Sequence, residues 1–186
     1  MILNTNFTPF PELQTERFLL RRTTIADAQE FYQLRSDDRT MQYLDRNKAK
    51  DVEEVIQLIA SIDSDIDAGN GIMWSIVPKG EQKIIGTIGF WRMKKEHFRS
   101  EIGYLLHPDY WRQGVMSEAL HAVLRFGFEV IRFHSVEAIT NPNNIPSRKL
   151  LEKAGFSLEG HFREDFYFNG KFMDSTVYGL LGREYF

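Results

Sequence analysis

No cysteine occurs among the 186 residues. Disulfide staples, thiolate nucleophiles and cysteine-ligated metal sites are therefore unavailable, and the composition suits a reducing, cytoplasmic setting. Long apolar runs are missing as well. The longest are short stretches such as Ile84-Ile85 and Tyr104-Leu105-Leu106, far below the roughly 20 residues of a membrane-spanning helix, so no membrane association is expected. Met1 to Pro11 has neither a basic start nor a sustained apolar stretch, which argues against a signal peptide. An excess of positive charge is also absent. With a formal net charge of −3 there is no global field to gather nucleic acid, and no nucleic-acid partner is expected. The histidines His97, His107, His121, His134 and His161 show no ligand spacing, so no metal is expected. Asp63, Asp65 and Asp67 lack the glycine and closing glutamate of a calcium loop and read as a solvated helix face. With no Gly-, Pro- or Ser-rich linker and no repeat, residues 1–186 read as one domain, monomeric or homodimeric.

What is present is an ordinary globular composition, 42% hydrophobic and 26% charged, rich in aromatics with 15 Phe, 7 Tyr and 3 Trp. Glu16 to Arg22 alternates like a strand. Thr24 followed by Asp27 resembles a capping box opening a helix through Leu34 and Arg35. A second helix is predicted from Asp51 to about Ala68, with Val52, Val55, Ile56, Ile59, Ile62 and Ile66 as its apolar stripe. The period then changes to two. Ile72 to Val77 and Lys83 to Trp91 form a hairpin around Pro78 to Glu81, and Arg99 to Leu106 is a third strand. Ser117 to Phe128 is a strongly amphipathic helix, His134 to Thr140 a strand, and Ser147 to Ala154 a short helix ended by Gly155. Two last strands flank Asn169-Gly170, a pair suited to a type I′ turn. This order predicts an α/β (α+β) domain with a mixed, mostly antiparallel seven-stranded sheet. Helices cover both faces, and the parallel pair lies around the long helix after Leu106.

Two segments carry chemistry. In Leu105 to Ala119 a strand passes through a short loop into a helix, with Gly114 at the turn. Unpaired N–H groups and the positive dipole end of a helix make an anion site there, to which Arg112 adds charge and Ser117 a hydroxyl. The plainer alternative is a turn glycine followed by a helix cap. In the second segment Asn144, Ser147 and Leu151 share one helix face and Gly155 ends it. Asn144 also reads as a turn residue and helix cap.

On these residues the chain resembles the GNAT superfamily of N-acetyltransferases, in particular its ribosomal-protein N-terminal alanine and serine acetyltransferase branch. The resemblance runs through Thr15-Glu16-Arg17-Phe18-Leu19-Leu20-Arg21, Ile85-Gly86-Thr87-Ile88-Gly89-Phe90, Glu101-Ile102-Gly103-Tyr104, Pro108 to Ala119, and Asn144 to Phe156. The family's pyrophosphate motif, Gln/Arg-x-x-Gly-x-Gly/Ala, meets Trp111, Gly114 and Met116, of which Gly114 matches.

The resemblance implies a GNAT-like fold, with acetyl-CoA as cosubstrate in a gap between two splayed parallel strands, here Glu101 to Leu106 and His134 to Thr140. Backbone groups of Tyr104, Leu105 and Leu106 would pair with the pantetheine arm. Arg112, Gln113, Gly114, Val115, Met116 and Ser117 would cradle the pyrophosphate, and Asn144 would touch the pantetheine. Direct attack by an amine, most plausibly a protein N-terminus, would follow. The tyrosine that donates a proton in many members is replaced by Leu151, which turns attention to Ser147 as donor. The relatives' glutamate is replaced by Phe166, leaving Glu101, Glu164, Asp165 or water as base, with Glu101 first. Glu101 is alternatively a strand residue paired with Arg22 or another cation. Met41, Tyr43, Phe90, Trp91 and Phe166 are candidate groove walls or core residues. A small-amine acetyltransferase (polyamine or aminoglycoside) and a non-catalytic acetyl-CoA-binding module remain alternatives.

Overall fold

A computed structural model describes residues 2–185. The chain opens with a two-residue strand, β1 (Leu13–Gln14), beside β2 (Phe18–Arg22). After a short 3-10 turn come α1 (Ala28–Ser36), the single-turn α2 (Asp38–Met41) and α3 (Val52–Asp67). The hairpin β3 (Ile72–Pro78) and β4 (Gly86–Lys94) leads to β5 (Arg99–Leu106). Helix α4 (Val115–Phe126) follows and runs into a π turn, Gly127–Ile131. Then come β6 (Ser135–Thr140), α5 (Ile145–Lys153), β7 (Ser157–Phe168), β8 (Lys171–Leu181) and α6 (Gly182–Tyr185).

All strands join one sheet in the order β1-β2-β3-β4-β5-β6-β8-β7, so the sheet has eight strands where seven are expected. The addition is β1, whose two residues are too few for a periodic signal. Every neighbouring pair is antiparallel except β5 with β6. Strand β4 starts at Gly86 rather than Lys83: Ile84 and Ile85 are buried in the connection, and Ile85, though bonded to Ile76 and His107, lies outside the regular register.

The two faces are covered by different helices. On one, α4 sinks Val115, Met116, Ala119, Leu120, Val123 and Leu124 against Trp74, Ile88, Phe90 and Ile102. The approach is close at Gly127, where a Cβ would sit 2.6 Å from the Phe90 ring. Phe90 is thus core and not groove wall, and so is Met41 at 4% exposure. The other face carries α1 and α3, whose Phe31, Leu34, Val55 and Ile59 pack with Val77 and Ile84. Asp63 and Asp67 do not form a purely solvated face: Arg22 bridges both, at 2.7 and 3.1 Å.

The Thr24–Asp27 start is tied to the sheet by a buried ion pair. Asp27 accepts the Thr24 N–H at 2.8 Å and receives both terminal nitrogens of Arg21, at 2.7 and 2.8 Å. Burial pushes the Asp27 carboxyl up, but Arg21 and Thr24 outweigh it and hold the group below its usual range. A depressed folded-state pKa means stability present at neutral pH and lost as pH falls through that depressed value. Asp27→Ala strands a half-buried guanidinium, and a loss of about 3 kcal/mol is expected in urea denaturation. The variant should also lose part of the wild type's acid dependence of stability.

Candidate active site

Strands β5 and β6 pair only through Arg99–Ser135, Ser100–Val136 and Glu101–Glu137. Beyond that rung both strands continue, β5 to Leu106 and β6 to Thr140, with no pairing between them. The ladder on the other side of β5 determines which groups face this gap. The His107 N–H donates to Ile85 at 2.8 Å, and since bonded pairs alternate along an antiparallel ladder, Leu105 and Gly103 turn their backbone groups to β4. Tyr104 and Leu106 turn theirs to the gap. The edge expected from Tyr104, Leu105 and Leu106 therefore narrows to alternate residues, and Leu105 packs its side chain under α1 and α3. The Leu106 carbonyl is further occupied by the indole N–H of Trp111 at 2.8 Å, which gives the departure at Trp111 a local purpose.

The loop from Trp111 to Gly114 enters α4 through two left-handed residues, Arg112 at φ 60° and Gly114 at φ 76°. Left-handed Gly114 followed by right-handed Val115 turns successive N–H groups toward one side, as in an anion-binding nest. The first α4 bond runs from the Glu118 N–H to the Gly114 carbonyl at 3.0 Å, so the N–H groups of Val115, Met116 and Ser117 precede it and are free of intrahelical partners. Val115 and Met116 bury their side chains beneath the turn and contribute only backbone to it.

Gln113 spends its side chain on the Asp109 carbonyl. Its own carbonyl is held by Arg17, 3.0 Å away, which also grips Glu118 at 2.7 Å. Burial opposes ionisation of Glu118, but hydrogen bonds from Thr15 and Arg17 hold its carboxyl below the usual range. This clamp from the residue before β2 to the α4 start was invisible in sequence, where about a hundred residues separate its members.

Across the gap, α5 begins at Asn144, whose side chain accepts the Ser147 N–H at 3.2 Å and so acts as a helix cap. Ser147 Oγ lies 2.7 Å from the Tyr104 hydroxyl. Burial pushes the Tyr104 phenol up to about 12, with the Ser147 contact pulling the other way. The phenol thus stays protonated across the physiological range and, as the stronger acid, is the natural donor to Oγ. Ser147 then keeps its own proton to give. Leu151, one turn on, is core at 1% exposure.

On the opposite face of β5 sits Glu101, 5% exposed. Burial raises its carboxyl above the usual range, Arg92 opposes, and the neighbouring Glu137 adds to the rise. Its partner is Arg92, at 3.2 Å, and not Arg22. Trp91 stands opposite Glu101 in the ladder, its indole lying over Gly103. Of the other candidate bases, Asp165 accepts the Ser175 hydroxyl at 2.6 Å, while Glu164 lies within the bulge of β7 between Phe162 and Phe166, at φ 53°. The described residues contain no group of carboxylates and histidines arranged to hold a metal. No helix among them is long and apolar enough to cross a membrane.

The mixed sheet thus opens at its one parallel pair, with an N–H-lined turn and ionisable groups bordering the opening. Residues 17–157 match the family model described as an acetyltransferase (GNAT) domain. An uncharacterized N-acetyltransferase of Bacillus subtilis (strain 168) is 34% identical over 92% of this chain and 97% of its own. Among solved structures, the ribosomal-protein-alanine acetyltransferase from Vibrio fischeri superposes with a TM-score of 0.81 at 22% identity, over 95% of this chain and 99% of that one. The Mycobacterium smegmatis RimJ, in complex with CoA-disulfide, gives 0.82 at 20% identity over 94% and 87%. These last two likenesses concern the fold. The chain belongs to the GNAT acetyltransferase family and is an acetyl-CoA-dependent N-acetyltransferase.

Proposed function

We propose that the protein transfers the acetyl group of acetyl-CoA to the α-amine of a polypeptide N-terminus, by direct attack and without a covalent intermediate. One observation carries this reading: the strand gap is flanked by the Tyr104–Ser147 hydroxyl pair on one face and buried Glu101 on the other. The Tyr104 and Leu106 edge fits the amide-bearing pantetheine arm, within reach of the Asn144 side chain. The turn from Arg112 to Ser117 fits the pyrophosphate, met by backbone N–H groups and the helix dipole. Acetyl-CoA supplies the thioester; the chain's residues orient it and move protons. As the amine nitrogen bonds to the acetyl carbon, the C–S bond breaks. Glu101, through water, takes the amine proton and later releases it to solvent, while Ser147 gives a proton to the departing sulfur and regains one from solvent. The products are the acetylated amine and free coenzyme A, in a cytoplasmic setting where both substrates occur.

An α-amine, with a pKa of about 8, is partly neutral without help, whereas a lysine-like amine near 10.4 is not. A single carboxylate base is therefore better matched to the α-amine. A polycationic acceptor is disfavoured further by Arg92 and Arg46 near Glu101. The reading is tested by mass spectrometry of N-terminal peptides incubated with acetyl-CoA, where a gain of one acetyl at the α-amine is expected and no transfer would sink it. Glu101 should give kcat/KM a rise with pH whose midpoint lies above the ordinary carboxylate range, the direction that burial imposes. Glu101→Gln should lose that limb and about a hundredfold in rate. Retention of the limb would pass the role to water.

A further inference from the structure

We propose that the acceptor side of the site holds a guanidinium pocket, built by Arg46 and Arg35 with Arg92 at its edge, that binds a carboxylate carried by the amine acceptor. This deepens the acetyl-transfer reading and rests on it.

Three arginines from separate parts of the chain form a line that ends at Glu101: Arg92 and Arg46 act on Glu101 directly, and Arg35 neighbours Arg46. Arg35 lies on the last turn of α1, Arg46 on the loop between α2 and α3, and Arg92 at the bulge of β4. Arg46 and Arg92 lie over the Trp91 ring, 5.0 and 4.4 Å from its centroid. Trp91 covers Gly103 on the stretch of β5 where the strands part, so both cations border the place where an amine would meet the thioester.

The carboxylates around them are largely committed. Glu137 is held by Lys94 and Arg99, and Glu101 by Arg92. Glu54 accepts the Lys50 N–H, and Asp165 the Ser175 hydroxyl. Asp45 attracts Arg46 without forming a close ion pair. Arg35 and Arg46 form no ion pair among the described residues.

The two guanidiniums also repel each other. Burial lowers the affinity of Arg35 for its proton, and the charge of Arg46 lowers it further, with Glu54 opposing. Arg46 is lowered first by withdrawal from water and then by the charge of Arg92. Unpaired, crowded arginines lose little on meeting an anion, and the planar fork suits a carboxylate.

A second observation points to the same spot. Among the described residues, the buried side-chain polar atoms with no hydrogen-bond partner are Arg35 Nε and Trp91 Nε1. Buried donors are rarely left unmatched, and both belong to this cluster. The carboxylate has two chemical sources: the acceptor's own α-carboxylate, if it is a free amino acid, or an acidic side chain near the start of a peptide.

The test compares kcat/KM for peptides that begin with alanine and carry aspartate, alanine or lysine at the next two positions, with free alanine and spermidine as further arms. At least a tenfold preference for the aspartate peptides, or for free alanine, over the neutral peptide is expected, carried by KM. The arm that shows it identifies the source. Arg46→Gln should reduce the preference to near one, and Arg46→Glu should favour the lysine peptides, a reversal that a merely structural role would not produce. Acetyl-CoA affinity measured by calorimetry on the same variants shows that they are folded and loaded. Equal turnover of acidic and neutral acceptors, a preference for spermidine, or an unaltered preference in both Arg46 variants would overturn the pocket while leaving acetyl transfer standing. No turnover of any acceptor would instead remove the acetyl-transfer reading, and the pocket with it.

Discussion

Gly114→Glu should weaken acetyl-CoA binding by a hundredfold or more, on the order of 3 kcal/mol, while the domain stays folded. Two effects add. Gly114 sits at φ 76°, a conformation that costs a side-chain-bearing residue about 1 kcal/mol or more. The new carboxylate would also stand among the N–H groups at the α4 start, in competition with the pyrophosphate for the same dipole. A Cβ at this position would meet Arg17 Nη2 at 3.4 Å, so the glutamate has a cation within reach. Taking it would pull Arg17 from Gln113 and Glu118 and loosen the turn from below. Both routes weaken the cofactor site. Gly114→Asn is the control, since asparagine tolerates the left-handed conformation and adds no charge; most of the affinity should survive. Calorimetric titration with acetyl-CoA checks the pair. A folded glutamate variant within threefold of wild type would show that the pyrophosphate rests elsewhere.

Ser147→Ala should lower kcat by about a hundredfold with little change in KM for acetyl-CoA, the lower range for loss of a positioned proton donor. The hydroxyl makes one hydrogen bond, to Tyr104, so the stability cost should be only about 1 kcal/mol. Tyr104→Phe tests the other half of the pair. Its phenol, raised to about 12 by burial, remains a donor at working pH and orients Oγ, so a smaller loss of roughly tenfold is expected. The helix cap that Asn144 gives to the Ser147 N–H is untouched by either change. Thiol release from acetyl-CoA in the presence of an accepted peptide reads both effects. Unchanged turnover in Ser147→Ala would mean that water protonates the departing sulfur.

Much of the fold was legible because its signals are local. The α3 and α4 stripes repeat at helical spacing, Asp51 caps α3 through the Glu54 N–H, and Asn169 and Gly170 both take the positive φ that a type I′ turn requires. Strand β1 was missed because two residues carry no period. The start of β4 was misplaced because Ile84 and Ile85 are as apolar as the strand they precede. In the site, the Gly114 turn and the Asn144–Ser147 helix start were visible as segments. Phe90 and Met41 stayed open between groove wall and core because an aromatic or thioether side chain reads alike in both; burial places them in the core.

The sequence by itself determined the order of elements, the turn that opens α4 and the absence of thiol chemistry, since each depends on residues a few positions apart. Only the tertiary structure decided which groups meet. Residues 43 apart place the Tyr104 hydroxyl on Ser147. Glu101 takes Arg92 for its partner, while Arg22 goes to Asp63 and Asp67. Arg17, about a hundred residues away in sequence, holds the α4 start through its backbone N–H and its guanidinium. Such pairings follow from the strand order and from the single place where the parallel ladder stops. A chain's local periodicity is blind to both, because sheet neighbours are chosen by packing and hydrogen bonding over the whole domain.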